Sequence, residues 1–63
     1  MSDISILNEL NDMIRLLEIS LEDAEKLVSK GNHTAGMRVR KTMQEIKKRA
    51  KNIRNMVQLF KKV

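Results

Sequence analysis

Basic side chains recur at a spacing of seven residues along the second half of the chain. On an α-helix, seven residues make about two turns, so side chains at this spacing share one side and repeat about every 10 Å. A row of ammonium and guanidinium groups at that spacing can bind the phosphates of a nucleic-acid backbone. The pattern therefore predicts an ionic surface for a polyanion. The repeats are Arg40-Lys41, Lys47-Lys48, Arg54 and Lys61-Lys62.

The two halves of the chain carry opposite charge. Residues 1–29 hold seven acidic and two basic side chains, whereas residues 30–63 hold eleven Lys or Arg and the single acid Glu45. One carboxylate cannot neutralise eleven cations, so most of them need another partner. Asymmetry of this kind is typical of proteins that present a basic surface to a polyanion. The candidate DNA-binding residues are Lys30, Arg38, Arg40, Lys41, Lys47, Lys48 and Lys51.

The residue types needed for catalysis are nearly absent. The chain has no cysteine and one histidine, His33, so it offers no thiolate metal site and no nucleophile–base pair. We expect a binding protein and no enzyme, with no metal, no cofactor and no small-molecule substrate. No apolar run approaches the length of a membrane span, and the acidic N-terminus does not resemble a signal peptide. We therefore expect a cytoplasmic protein without a membrane partner.

The apolar spacing predicts the elements that position these charges. Each half shows a three-four alternation of apolar residues, which is the pattern of a helix with a coiled-coil seam. Proline is absent, and good helix formers dominate the composition. The predicted seam of the first helix is Leu7, Leu10, Ile14, Leu17, Leu21, Ala24 and Val28. The predicted seam of the second is Val39, Met43, Ile46, Ala50, Ile53, Val57 and Phe60.

A short turn separates the two seams. Gly31 suits the left-handed residue that ends a helix, and Asn32 is a good N-cap for the next helix. Because a short turn makes neighbouring helices antiparallel, we predict an all-α, antiparallel two-helix hairpin in one domain, residues 1–63. The helices are expected at about residues 3–29 and 33–62. Opposing seam residues are expected to pair from Ala24–Val39 near the turn to Leu7–Val57 at the open end.

The residues beside the predicted seam suggest further contacts. On one side, Glu25 is expected to face Arg40 and Glu18 to face Lys47. On the other side lies a second stripe that is mostly apolar and would be exposed in a single hairpin. We therefore expect two hairpins to associate as a dimeric four-helix bundle. The second stripe consists of Ile6, Met13, Ser20, Leu27, Thr42, Arg49, Met56 and Val63.

Gly36 lies in the first turn of the second helix, where a glycine costs about 1 kcal/mol of helix stability relative to alanine. Its missing side chain suits close packing against the first helix, and it equally suits the approach of a phosphate to the helix N-terminus. Both interpretations stay open. Lys30 and His33 flank this position, and His33 is expected to be a surface residue.

The stretch KGNHTAGMRVRKTMQEIKKRA, residues 30–50, resembles the signature of the bacterial linker-histone-like proteins, a chlamydial-type family of small nucleoid proteins. The resemblance covers about residues 28–54. It implies a DNA-binding, chromosome-condensing protein of the bacterial nucleoid with little sequence preference. This chain is similar to short members, because the long Lys- and Ala-rich tail is missing. The residues that match are Lys30, Gly31, Asn32, Ala35, Gly36, Arg38, Val39, Arg40 and Lys41.

Two functions fit these features. The first is sequence-nonspecific binding of double-stranded DNA, in which Arg38, Lys41, Lys48 and Lys51 contact phosphates because they have no acidic partner in the expected pairing. The second is an antiparallel coiled-coil interaction module whose basic face binds an acidic protein. The near absence of aromatic residues argues against recognition of single strands by base stacking.

Overall fold

The computed structural model describes residues 3–61 and shows two helices, α1 (Asp3–Lys30) and α2 (His33–Lys61). They pack against each other along their length in a hairpin that measures 50 × 16 × 11 Å. The predicted all-α hairpin is confirmed. Side chains are described for residues 4–60, so the expected roles of Lys62 and Val63 and the last residue of the predicted second helix lie outside the described residues.

The turn has the capping chemistry that the sequence predicts. Gly31 adopts a left-handed conformation with φ of 63°, and its N–H donates to the carbonyl oxygen of Leu27 at 3.0 Å. This is the αL termination of a helix, which satisfies a carbonyl that the helix itself cannot. Asn32 then caps α2, because its Oδ1 accepts a hydrogen bond of 3.1 Å from the N–H of Ala35.

Replacing Gly31 with alanine should lower the free energy of unfolding by about 1–2 kcal/mol, because a Cβ disfavours the left-handed conformation. No atom lies within 4 Å of the position that the new Cβ would take, so steric overlap adds nothing. Urea titration followed by circular dichroism measures the change, with Lys30→Ala as the neighbouring control. Equal stability of the Gly31→Ala variant and the parent would contradict the observed cap.

The helices face each other through a different stripe from the one predicted. The predicted seam of α1 is largely solvent-exposed, with fractions that run from 42% at Leu10 to 85% at Val28. The residues that are buried or half-buried in α1 belong instead mainly to the second stripe and to positions three residues beyond its members. These residues are Ser5, Ile6, Glu9, Asp12, Met13, Leu16, Ser20, Asp23 and Ala24.

In α2 the observed contact face differs from the predicted one by a smaller rotation about the helix axis. Val39, Ile46, Ala50 and Ile53 stay in the contact region as predicted, whereas Met43, Val57 and Phe60 are exposed at its edge. The neighbouring stripe of Thr42, Arg49 and Met56 lies in the contact region instead. The α2 residues that are buried or half-buried are Ala35, Gly36, Val39, Thr42, Ile46, Arg49, Ala50, Ile53 and Met56.

Small side chains explain why this stripe lies inside the hairpin. Ala35 is fully buried and Ser20 is 5% exposed, so the two backbones can approach closely near the turn. Gly36 belongs to the same contact, because a Cβ there would lie 3.2 Å from Cδ1 of Leu27. Close packing between the helices therefore accounts for this glycine. The expected pairings that involve the exposed seam residues of α1, from Leu21 to Leu7, are wrong for the same reason, since α1 presents another face. Ala24 and Val39, which were expected to pair near the turn, are both half-buried.

The rotation leaves a continuous apolar surface on α1, which we call the apolar ridge. In the described part of the chain it has no partner. The second stripe, which was expected to bind another hairpin, is instead used within this one. The ridge consists of Leu7, Leu10, Ile14, Leu17, Leu21 and Val28, all of which are exposed.

Candidate nucleic-acid interface

The basic side chains of α2 form two exposed rows on the side away from the contact with α1. An inner row borders the edge residues Met43 and Val57, an outer row lies about a quarter-turn further round, and Lys51 lies between the rows. None of these side chains forms an ion pair with another described residue. The surface is therefore positively charged and accessible. The inner row is Arg40, Lys47 and Arg54, and the outer row is Lys41 and Lys48.

The ion pairs expected between Glu25 and Arg40 and between Glu18 and Lys47 are absent, and all four side chains are exposed. The cause is the different packing face of α1. Turning α1 so that Leu16 and Ser20 face α2 moves Glu18 and Glu25 to the far side of the apolar ridge. Within one hairpin these carboxylates then lie away from the cations they were expected to neutralise.

Arg38 was expected to be unpaired, and this expectation is wrong. Its Nη2 and Nε donate to Oδ1 of Asp23 at 3.0 and 3.2 Å. The Asp23 side chain is only 9% exposed, whereas 48% of the Arg38 side chain remains in solvent. The hydrogen bond from Arg38 lowers the pKa of Asp23, although burial opposes the shift, and the pairing raises the pKa of Arg38. The guanidinium group of Arg38 is therefore already paired with Asp23 within the hairpin and is less available to an outside partner.

The Asp23–Arg38 pair gives a signed pH dependence. Because folding lowers the pKa of Asp23, the unfolded chain binds a proton more readily, and stability falls as the pH drops through and below about 4. Above that range the contribution is fully present. Asp23→Asn should be less stable than the parent at pH 7 and should lose this part of the acid dependence. Thermal melts between pH 2.5 and 7 test this, with Glu22→Gln as the control. Parallel stability curves for parent and Asp23→Asn would contradict it.

Arg49 is a second cation held inside the hairpin. Its Nε lies 3.2 Å from Oε2 of Glu45, and its Nη1 lies 3.7 Å from Oδ2 of Asp12 and 3.8 Å from Oε1 of Glu9. The apolar spacing predicts Arg49 on a flank of the seam but does not identify these partners. Glu45, four residues before Arg49, is the sequence signal that could have indicated part of the cluster. Arg49 is therefore neutralised and lies outside the basic rows.

Lys30 lies apart from the two rows, as the last residue of α1, and it is exposed. Its position beside the turn adds positive charge at the end of the hairpin from which α2 begins. A shallow surface depression of about 420 Å³ lies nearby on α2, and its lining includes Thr34, Arg40 and Lys41. Of the seven candidate residues, the structure thus groups Arg40, Lys41, Lys47, Lys48 and Lys51 on the exposed side of α2 away from α1.

Residues 3–61 offer neither a metal site nor a membrane-spanning helix. Within that range no group of three or more His, Cys, Asp or Glu residues is placed to hold a metal ion. Neither α1 nor α2, as described, is long and apolar enough to cross a membrane.

The fold and the surface together define a small helical-hairpin protein with one strongly basic helix, a class suited to polyanions. The model of the family described as "Histone H1-like protein Hc1" matches residues 7–63 of the chain. The chain therefore belongs to this family of histone H1-like nucleoid proteins, and the predicted resemblance is confirmed. Neither a search of curated proteins nor a search of solved structures found a match.

Proposed function

We propose that this protein binds double-stranded DNA through the exposed basic rows of α2 and organises the bacterial nucleoid in the cytoplasm. The observation that carries the proposal is a group of exposed cations on the side of α2 away from α1, none of which forms an ion pair with a carboxylate of the described residues, in a chain of a histone H1-like family. These cations are Arg40, Lys41, Lys47, Lys48, Lys51 and Arg54.

The dimensions of α2 suit contact with a DNA backbone. Its 29 residues span about 43 Å, which exceeds the roughly 34 Å of one turn of B-DNA. We expect the outer row and Lys51 to make the main contacts with phosphates. In a single hairpin the inner row adds further contacts, and Lys30 adds positive charge at the turn. Arg38 is a weaker contributor because Asp23 already occupies its guanidinium group. Ionic contacts to phosphates carry no sequence information, so the preference between sequences should be small.

Self-association forms the second part of the proposal. A 63-residue chain buries little surface, and this hairpin leaves the apolar ridge of α1 exposed. Pairing of two hairpins into a dimeric four-helix bundle would cover the ridge. Such a dimer would carry two copies of the basic rows, and this would allow one particle to condense DNA by contacting more than one segment.

Titration of a labelled 30-base-pair duplex at several salt concentrations tests DNA binding. Three to four phosphate contacts per hairpin predict a slope of log K against log salt of about −3 to −4, because each contact releases close to one counterion. Two duplexes of unrelated sequence should bind with equal affinity. Poly-glutamate serves as the competitor. If it displaces DNA at an equal concentration of charge, the rival interpretation of an acidic protein partner would replace this proposal.

A further inference from the structure

The apolar ridge of α1 lies between one row of acids and one row of bases on the same face of the hairpin. Beyond the ridge, at the outer edge of α1, lie Glu18 and Glu25, which are exposed and form no ion pair with another described residue. At the opposite edge, on α2, lies the inner row, which begins with Arg40 and Lys47. The face thus has an apolar centre with a negative border and a positive border, which is the layout of a self-complementary surface.

The two charged borders also match in height along the hairpin. Leu27 packs against Gly36, and Arg49 approaches Asp12. These contacts establish which residues of α1 and α2 lie at the same height along the hairpin axis. They place Glu25 within about one helical turn, or 5.4 Å, of the height of Arg40, and the same offset separates Glu18 from Lys47. Within one hairpin each acid is separated from its base by the full width of the face.

We propose that a second copy of this chain covers the face side by side, with both turns at the same end and the two-fold axis parallel to the helices. This arrangement rests on the self-association proposed above. The axis places α1 of each copy over α2 of the other. The apolar ridge then packs against the edge of α2 that carries Met43 and Val57, while Glu18 and Glu25 meet Lys47 and Arg40 of the second copy.

Charge selects this orientation over its opposite. With the turns at opposite ends, α1 would lie over α1 and α2 over α2. The inner row would then face itself, with Lys47 near Lys47 and Arg40 near Arg54, because these positions are symmetric about the middle of α2. Rows of like charge across an interface oppose association. The side-by-side arrangement replaces those contacts with four ion pairs of opposite charge in the dimer.

The arrangement divides the basic surface of α2 between two partners. Arg40 and Lys47, which are free to reach phosphates in a single hairpin, turn to the carboxylates of the second copy. Lys41, Lys48 and Lys51 stay on the outside. Because the two α2 helices occupy diagonal corners of the bundle, their outer faces point in opposite directions, and one dimer can hold two separate duplexes.

Charge reversal tests the interface in the absence of DNA. Sedimentation equilibrium should show that Glu18→Lys with Glu25→Lys weakens the dimer at least tenfold, because lysines then face Arg40 and Lys47. Arg40→Glu with Lys47→Glu should weaken it similarly. The variant that carries all four substitutions should recover at least half of the loss in free energy. Circular dichroism at concentrations where each variant is assembled checks that the helices are intact.

Orientation is measured separately. The chain has no cysteine, so Ser29→Cys gives one spin-label site per hairpin, next to the turn and exposed. Pulsed electron paramagnetic resonance should give a label separation of about 20 Å when the turns lie at the same end, the width of two packed helices. Turns at opposite ends would give about 40 Å, nearly the length of α1.

Three results would overturn the inference. They are a parent protein that is monomeric at all concentrations, a variant with all four substitutions that dimerises no more tightly than either double variant, and a label separation of about 40 Å. A monomer would also contradict the proposed self-association. None of the three results bears on the salt dependence of DNA binding, which tests the proposed DNA binding separately.

Discussion

Replacement of Lys41 and Lys48 with glutamine should flatten the salt dependence of DNA binding by about two units per hairpin. Each lysine that contacts a phosphate releases close to one counterion, so the loss of two contacts removes about 1.8 from the slope. Unrelated DNA sequences should be weakened to the same degree, because the contacts do not read bases. The melting temperature should hardly change, since both side chains are exposed and form no ion pair with another described residue. Fluorescence anisotropy between 50 and 300 mM KCl measures the slope.

The matched control replaces Arg15 and Lys26 with glutamine. These two side chains are also exposed, and their loss lowers the net charge by the same amount, but they lie on α1. The control should leave the slope within about half a unit of the parent value, because long-range charge contributes little to counterion release compared with contact. Equal flattening by the two variants would mean that DNA responds to net charge and not to the basic rows of α2.

Leu17→Glu should weaken self-association by at least about 100-fold. Leu17 lies in the middle of the apolar ridge, and a two-fold dimer contains the substitution twice. The loss of about 1.5 kcal/mol of burial at each site gives about 3 kcal/mol, which corresponds to roughly 150-fold. Sedimentation equilibrium measures the dissociation constant. The proposed dimer predicts that the melting temperature of the parent rises with protein concentration, and this dependence should disappear in the variant over the accessible range.

Ile19→Glu is the control for Leu17→Glu. The two residues are equally exposed in the hairpin, at 50% and 49%, and both substitutions place a carboxylate on α1. Ile19 lies on the other side of the contact with α2, away from the apolar ridge, so its replacement should leave the dissociation constant within about threefold of the parent. If both variants dissociate equally, the ridge has no special role in assembly.

The local features of the fold could be predicted because they depend on neighbouring residues alone. Gly31 and Asn32 specify the end of one helix and the start of the next through their own backbone and side-chain chemistry. The absence of proline and the regular apolar spacing specify two long helices. The observed bounds, Asp3–Lys30 and His33–Lys61, agree with the predicted ones to within a residue in the described part of the chain.

The packing face of α1 could not be predicted in the same way. The helix carries two adjacent stripes, and the sequence pattern predicts the more apolar one on the inside, because burial of apolar side chains is favourable. The structure uses the stripe with Ser20 and Asp23, which allows closer backbones and pairs Asp23 with Arg38 across the helices. That choice depends on contacts between residues far apart in sequence. The hydroxyl of Ser20 is buried without a hydrogen-bond partner in the described residues. Apolar content alone therefore does not determine which stripe of α1 packs against α2.

The candidate site could be predicted in outline for a related reason. Exposure of Lys41, Lys48 and Lys51 follows from their position on α2 whichever stripe of α1 packs against it. The pairing of Arg38 and Arg49 does depend on the stripe, because their carboxylate partners lie mainly on α1. The basic rows of α2 could therefore be predicted from the sequence, whereas the pairing of Arg38 and Arg49 with carboxylates could not.

Ala35 is the one apolar residue, among those described, that the hairpin buries completely. In the proposed dimer, a chain with so small an interior would gain most of its protection from the second copy, so a dilute population would spend more time open and exposed to proteases. Its many lysines and arginines are cleavage sites for trypsin-like enzymes, and digestion in vitro should slow as protein concentration rises. In a cell, the same coupling would set a threshold of synthesis below which the protein is degraded and above which it persists.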